Sequence, residues 1–303
     1  MKKVENTSRK VDSLTELHRV LGLPKPLHPL ISFVDIEEVK IRSEELGNSF
    51  ILNFYKISYK SNLCGQAKYG QHYYDFGEGG LVYTAPHQIF EVHKTESTGY
   101  MLLIHPDFLL SYPLAKKIKQ YGFFSYSANE ALHISDKEKE TIFSIFKIIH
   151  DELQSRIDDF SQDVIISQIE LFLNYSNRFY KRQFITRTVV NNDLLQNLEE
   201  ILNNYFDHEK ALTQGLPNVQ YLAEQLNISS SYLSDLLRSL TGQNAQQHLH
   251  NRLIDKAKEK LSTTKSTVSE VAYELGFEHP QSFSKFFKTK TNLSPLEFRQ
   301  TFN

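Results

Sequence analysis

The sequence predicts an α+β multidomain chain, with a β-rich N-terminal half flanked by helices and an all-α C-terminal half. Short runs rich in aromatic and β-branched residues, separated by turn signals, fill residues 50–104. Two long segments of helical periodicity follow them, and two similar helical units occupy the last third of the chain. A length of 303 residues fits two domains that each bury a core.

Composition describes an ordinary globular chain, with 40% hydrophobic and 23% charged residues. The one cysteine, Cys64, cannot form an intrachain disulfide, so nothing indicates an oxidising compartment. The N-terminus lacks the apolar segment of a signal peptide, and no run approaches the roughly 18 apolar residues of a membrane span. We therefore expect a cytoplasmic protein without a membrane partner.

Charge is informative only locally. Residues 1–190 carry 23 basic and 23 acidic side chains, and residues 191–303 carry 11 and 13, so neither half is a polycation. Segment 280–303 is an exception, because it contains four bases and a single acid, Glu297. If this chain binds nucleic acid, a few well-placed residues must do so.

The N-terminal β-region is predicted to hold about six strands. FILNFYKISYK (50–60) contains no breaker and is predicted as one strand, and shorter pieces follow around QAKYG, QHYYDF, LVYTA, QIFEV and YMLLI. No helical pattern lies between them, so a compact antiparallel sandwich or barrel is expected.

Two long amphipathic helices are predicted after this region. The first spans 135–153, with Ser135 as N-cap and Glu138 completing a capping box, and the second spans 162–182. They either pack within the chain or form a dimer contact. TRTVVNND (186–193) is predicted as a linker because charge and periodicity both lapse there, which gives domains at 1–185 and 191–303.

The C-terminal half contains one pattern twice, at about 219–242 and about 268–292. Each copy has a short helix with a central alanine, Ala223 or Ala272, then a brief turn and a second helix of about three turns. Each ends on a residue suited to the left-handed conformation, Gly242 or Asn292. This is the layout of a helix-turn-helix, whose second helix enters the DNA major groove. Residues 244–261 are predicted to form one long helix between the copies.

The second helix of each copy has one apolar and one polar face. Leucines at 233, 236, 237 and 240 form the first apolar stripe, and phenylalanines at 283, 286 and 287 form the second. The opposite faces carry Ser231, Ser234, Asp235 and Arg238 in the first helix, and Gln281, Ser284, Lys285 and Lys288 in the second. Gln pairs bidentately with adenine, Lys suits guanine or phosphate, and Ser adapts to either.

Residues 252–299 resemble the signature of the AraC/XylS family of bacterial transcription regulators. The matching elements are Arg252-Leu253, Ala257, Leu261, Val271-Ala272, Leu275-Gly276-Phe277, Phe283, Phe287-Lys288, Ser294-Pro295 and Phe298-Arg299. The resemblance is strong over 191–303. For 1–190 it is one of architecture only.

This resemblance implies a DNA-binding domain with two helix-turn-helix units, joined to an N-terminal domain that senses an effector or dimerises. It implies binding to promoter DNA beside RNA polymerase, most often for activation, with a small-molecule effector and a homodimer as further expected partners. It places Ser231, Ser234 and Asp235, and Gln281, Ser282 and Lys285, where family members read bases. No enzyme activity, cofactor or metal is expected.

Two residues depart from the family pattern. Asp235 stands where a basic residue is common, and a carboxylate near phosphates is repulsive unless it accepts a hydrogen bond from cytosine. Arg238 partly offsets it. Asn292 replaces a frequent glycine, which a left-handed cap tolerates.

The N-terminal domain is expected to be cupin-like, since TAPHQIFEV (84–92) resembles the strand entry seen in such domains. Its histidines His72, His87, His93 and His105 are scattered, without the tight set that a metal requires. Aromatic residues line either a small-molecule pocket or the core: Tyr73, Tyr74, Phe76, Tyr83 and Phe90. Cys64 is expected to be a buried, inert thiol. The alternative function is therefore a cupin-like small-molecule-binding or metal-dependent protein with a helical appendage.

Overall fold

The computed structural model describes residues 9–41, 45–46, 48–61, 67–69, 72–74, 79–91, 98–155, 158–186, 188–207 and 210–302. It divides into two compact units, Met1–Thr186 and Arg187–Asn303. The first contains strands and helices, and the second is helical. Cys64, Phe76 and His93 lie outside the described residues, and so do the side chains at 72–74 and 90.

The first unit is built from ten described strands and four helices. The strands are β1 Arg9–Val11, β2 Ile31–Asp35, β3 Ser49–Leu52, β4 Tyr55–Lys60, β5 Ala67–Tyr69, β6 His72–Tyr74, β7 Gly80–Thr84, β8 Ile89–Glu91, β9 Gly99–Ile104 and β10 Leu132–His133. The helices are α1 Leu14–Val20, α2 Leu114–Lys117, α3 Asp136–Gln154 and α4 Ser161–Thr186. The largest sheet has the strand order β10-β7-β4-β9-β2 and is antiparallel throughout.

The segment 50–60, predicted as one strand, contributes to two strands in different sheets. β3 pairs with β1 and β8, whereas β4 pairs with β7 and β9. At the break the carbonyl of Leu52 accepts a hydrogen bond from the backbone N–H of His87 (2.7 Å), and the N–H of Asn53 donates to Val11 (3.1 Å). The apolar pattern continues through the break because Phe54 is fully buried. Periodicity therefore could not reveal the break.

The two faces of the five-stranded sheet pack against different layers. One face meets α3 and α4, where the rings of Phe146 and Phe172 lie 4.8 Å apart and the Tyr83 hydroxyl donates to Ser176 (2.7 Å). Val34, Met101 and Leu103 belong to a second core with residues of α1, β1 and β3. Strands β1, β2 and β10 were not predicted. The cupin-like arrangement stays a prediction.

Both predicted long helices are present. Ser135 caps α3 in a capping box with Glu138, as expected. α4 is longer than predicted and continues to Thr186. The apolar stripes of the two helices pack on each other and on the sheet within the first unit.

The second unit contains eight helices within the described residues. They are α5 Thr188–Asp207, α6 Lys210–Gln214, α7 Val219–Gln225, α8 Ser230–Thr241, α9 Ala245–Thr263, α10 Val268–Glu274, α11 Pro280–Thr291 and α12 Pro295–Gln300. The segment predicted as a linker is helical from Thr188 onward, and it begins a helix that buries Leu194, Leu198 and Leu202. α9 touches α5, α7, α8, α10 and α12. The predicted spacer helix is therefore also the centre of this unit.

Candidate nucleic-acid interface

The two predicted helix-turn-helix units share the same backbone geometry at their turns. After α7, Asn227 takes a positive φ of 56° and the N–H of Ile228 donates to Ala223 (3.0 Å). After α10, Gly276 takes φ 91° and the N–H of Phe277 donates to Ala272 (3.0 Å). Each turn thus closes on the central alanine of the preceding helix, which is fully buried in both copies.

The repeat extends beyond the predicted boundaries, into the helix that follows each unit. Gly242 and Asn292 are both left-handed C-caps, with φ values of 78° and 63°. The side chains of Thr241 and Thr291 each bond the carbonyl four residues back. Asn244 and Ser294 then begin α9 and α12 with capping boxes.

The apolar faces of α8 and α11 fix these helices to the unit. Leu233, Leu236 and Leu237 are fully buried, and so are Phe283 and Phe287. Leu240 and Phe286, which were expected in the same stripes, are only half-buried. The ring of Phe286 lies 5.1 Å from His250 of α9, so it connects α11 to the central helix.

Most predicted site residues lie on the accessible side of these helices. In α11 the side chains of Gln281, Ser282, Lys285 and Lys288 are exposed. Ser284 is half-buried and its hydroxyl donates to the carbonyl of Pro280 (3.0 Å), so it serves the helix backbone. In α8 Arg238 is exposed, whereas the other three site residues are half-buried: Ser231, Ser234 and Asp235.

The carboxylate of Asp235 is paired within its own helix. Arg238 Nη1 lies 2.7 Å from Asp235 Oδ1 in an i,i+3 ion pair. The pair neutralises the Asp235 charge, which would otherwise repel phosphates. It also occupies Arg238, which is the one cation among the four predicted site residues on α8. The sequence predicted that Arg238 would offset Asp235, and this ion pair is the contact through which it does so.

Positive charge is concentrated on α11. Lys285, Lys288 and Lys290 are exposed, and none forms an ion pair with another residue in the described ranges. Several other bases of this unit, among them Arg252, Lys260 and Arg299, have structural contacts. Arg299 donates to the carbonyl of Leu261 at the end of α9 (3.1 Å).

The side chain of Lys256 in α9 is only 12% exposed, and its Nζ pairs with the Glu259 carboxylate (3.2 Å). This arrangement favours a structural role for Lys256.

A small cavity of ≈ 90 Å³ lies behind α11, lined by residues that include Leu249, His250, Phe277 and Phe286. Burial, with a contribution from nearby Lys290, lowers the pKa of His250. The neutral ring is therefore favoured, and it packs as an aromatic surface under the helix.

Two features of this site were not predicted from the sequence. Phe286 and His250 meet across helices that are far apart in the chain, and no local pattern reveals such a contact. The third helix of each repeat carried a readable signal, since Asn244-x-x-Gln247 and Ser294-x-x-Glu297 are capping-box patterns.

The predicted N-terminal site candidates are only partly described. Tyr83 is core, 3% exposed and against Phe123 and Phe124. His105 caps a short 3-10 helix, where its Nδ1 accepts a hydrogen bond from the backbone N–H of Asp107 (3.3 Å). No group of three His, Cys, Asp or Glu side chains within the described ranges is placed to hold a metal. Nor is any helix in those ranges long and apolar enough to cross a bilayer.

Comparison with known proteins assigns the C-terminal fold. A model of the family described as "Helix-turn-helix domain" matches residues 222–301. The chain is 32% identical over 115 residues to an uncharacterized HTH-type transcriptional regulator in the cgkA 5′ region of Pseudoalteromonas carrageenovora, covering 38% of this chain and 63% of that protein. It is 26% identical over 172 residues to the lactose operon transcription activator of Staphylococcus xylosus, covering 56% and 59%.

Among solved structures, the chain matches the DNA-binding domain of AdpA in complex with a target DNA. Identity is 27%, coverage is 35% of this chain and 91% of that one, and the TM-score is 0.30. It also matches the C-terminal domain of the response regulator yesN from Fusobacterium nucleatum, with 30% identity, 34% and 98% coverage and a TM-score of 0.29.

The chain spans less than two thirds of the curated relatives just named. The family model falls within the C-terminal part that resembles the AraC/XylS family, and the resemblance is confirmed there. The C-terminal part of this chain is an AraC-type helix-turn-helix domain.

Proposed function

We propose that this protein is a sequence-specific DNA-binding transcription regulator of the AraC type. The observation that carries the proposal is the repeated unit, in which two helices of matching construction, α8 and α11, are each buried on one side and polar on the other. A helix with that construction, following a tight turn, is the element that enters the major groove in helix-turn-helix proteins. The relatives named as transcriptional regulators support the same assignment.

In this proposal α11 is the stronger reading helix. Gln281 contacts adenine, Lys285 contacts guanine, and Ser282 adapts to either. Lys288 contacts phosphate and sets the position of the helix on the duplex. All four side chains are exposed, and the two lysines have no competing ion pair in the described part of the chain.

The first helix, α8, reads a second major-groove segment with Ser231 and Ser234, which present short hydroxyl groups. Asp235 and Arg238 act as a pair. For Arg238 to contact a base or phosphate it must leave Asp235 or share its donors, and this competition weakens the contribution of α8. The protein therefore depends mainly on α11.

The first unit is proposed to regulate the second, as an effector-responsive and dimerising domain. Exposed apolar residues on α4 give a surface for a second copy of the chain: Val164, Leu171 and Ile185. The outcome is proposed to be activation through contact with RNA polymerase at a promoter, by analogy with the relative named as an operon activator. Sedimentation of a Leu171→Glu variant tests the dimer, and a reporter assay tests activation.

The experiment that tests the function is selection of bound fragments from a library of bacterial promoter DNA by the full chain. We expect recovery of a shared motif with two blocks about one helical turn apart, which is roughly 10 base pairs. Recovery of fragments without a shared motif would overturn the proposal. The described residues give no support to the alternative of a metal-dependent protein. The alternative of a small-molecule-binding protein is different, because the first unit contains a cavity that could hold a ligand.

A further inference from the structure

A cavity of ≈ 700 Å³ lies beside β2 in the first unit. All five residues of β2 line it. One wall is the C-terminal half of α3, including Phe146, His150 and Leu153, and the other is the connection from α1 to β2, residues 23–27. The volume falls within the range of small-molecule sites, which is about 300–1,000 Å³.

The strand at the base of this cavity is an edge of its sheet. Among the described strands, β2 pairs with β9 alone. The His105 N–H donates to the Leu30 carbonyl, and in an antiparallel ladder the hydrogen-bonded residues alternate. Ser32 and Val34 therefore bond β9, while the N–H and C=O of Phe33 point outward from this edge of the sheet, and Phe33 itself lines the cavity.

Aromatic rings make up much of the wall. The ring of Phe33 lies 5.4 Å from Tyr100, 5.5 Å from Phe146 and 5.2 Å from His150. The ring of Phe143 lies 5.6 Å from Tyr100. Rings gathered in this way offer an apolar surface suited to the face of another flat ring.

Polar groups are present at the margins of the cavity. His18 Nδ1 lies 2.6 Å from the Pro24 carbonyl, so this nitrogen carries the proton. Burial lowers the pKa of His18, and its Nε2 accepts from the Ser32 hydroxyl 2.9 Å away. The Ser32 oxygen keeps lone pairs for another donor. Lys147 lines the cavity and forms no ion pair within the described ranges.

From this arrangement we propose that the cavity beside β2 binds a planar heteroaromatic molecule that carries a neighbouring hydrogen-bond donor and acceptor. The Phe33 backbone supplies the matching acceptor and donor, and the ring-bearing wall holds the flat faces. Purines and pterins are ligands of this chemical class. Binding itself does not depend on the proposed DNA-reading function, but its role as an effector signal rests on that function.

A small flat ligand fits this site better than an added strand. An extended peptide could also bond an open strand edge. However, the ring-bearing residues cluster on the side of α3, and Pro24 and Pro26 restrict the opposite wall. A peptide is therefore treated as the competing occupant in the test.

The test is saturation-transfer difference NMR on the full chain, with adenosine, guanosine and pterin as probes. We expect saturation of the ring protons of at least one probe. Dimethylation of the exocyclic amine of that probe should weaken binding by about fivefold, because one hydrogen bond is lost. Absence of ring saturation for all three probes, or equal binding of the dimethylated form, would overturn the proposal.

Two variants locate the binding. Leu153→Trp fills the cavity at its half-buried rim and should abolish the signal, whereas Leu110→Trp, at a leucine 68% exposed and outside the cavity, should not. Circular dichroism checks that both variants fold. If Leu153→Trp does not fold, His150→Ala takes its place, because it removes one ring of the wall and should weaken binding.

A signal that is insensitive to the cavity variants contradicts the site. Binding of an acetylated valine–threonine pentapeptide, if Leu153→Trp abolishes it, also contradicts the proposal, because it identifies an extended peptide as the occupant of the cavity. Because the readout needs no DNA, failure here is separate from failure of the regulator assignment.

Discussion

Gly276 lies against Gly215 so closely that a Cβ atom on Gly276 would come within 2.6 Å of the carbonyl carbon of Gly215. Gly276 forms the turn of the second helix-turn-helix, and Gly215 follows α6, so the contact joins that turn to an earlier part of the same unit. The Tyr205 hydroxyl donates to the Gly215 carbonyl (2.9 Å) and holds the earlier segment in place. The position of α11 thus depends on two glycines that are distant in the sequence.

We predict that Gly276→Ala destabilises the second unit more than Gly242→Ala. Both glycines have positive φ, 91° and 78°, so both substitutions carry backbone strain. Only at Gly276 does the added methyl meet backbone, and nothing lies within 4 Å at Gly242. The difference in unfolding free energy should be about 1–3 kcal/mol, measured by urea denaturation. Equal losses in the two variants would show that the Gly215 contact is not tight.

Tyr83→Phe should lower the stability of the first unit by about 1 kcal/mol. Its hydroxyl is buried and donates to Ser176 (2.7 Å), and burial raises the pKa of this tyrosine. The matched control is Tyr121→Phe, which removes an exposed hydroxyl that donates to Asn174 (2.9 Å) and should cost less. Chemical denaturation of both variants provides the comparison. A larger loss in the control would contradict the packing of α4 on the sheet.

Stability should fall as pH drops below about 6.5. Burial lowers the pKa of His18 in the first unit and of His248 and His250 in the second, from an ordinary value of 6.5. The unfolded chain therefore binds more protons below that pH, so protonation favours unfolding until the folded histidines also titrate. Urea midpoints between pH 7.5 and 5.5 measure the slope. His18→Gln should reduce it, and an unchanged slope would refute the contribution of His18.

Asp235→Asn should strengthen DNA binding. The substitution removes the carboxylate that holds Arg238 at 2.7 Å and leaves the guanidinium available for DNA. We expect a gain of about 1 kcal/mol and a steeper dependence of affinity on salt, because one more cation contacts phosphate. Affinity of the selected fragment at several salt concentrations tests this. Weaker binding would indicate that Asp235 itself contacts a base.

Helix α3 and the two helix-turn-helix units were predictable because each has a local signal. Ser135 with Glu138, and the alanine and left-handed residue of each helix-turn-helix, mark their positions in a single stretch of sequence. The break at Asn53 was not predictable, since buried Phe54 continues the strand pattern. The proposed heteroaromatic site was also out of reach, because it joins Phe33 to His150, and such a contact depends on the packing of α3 against the sheet.

The central claim, that α11 reads DNA, is tested most directly by the affinity of Lys285→Ala for the selected fragment beside that of Lys265→Ala. Both substitutions remove one exposed positive charge, but Lys265 lies in the loop between α9 and α10. Lys285→Ala should lower affinity by about 1–3 kcal/mol and relax the base preference at one position. Lys265→Ala should change little. Equal affinities for the two variants, with the footprint unaltered, would contradict the assignment of α11 as the reading helix.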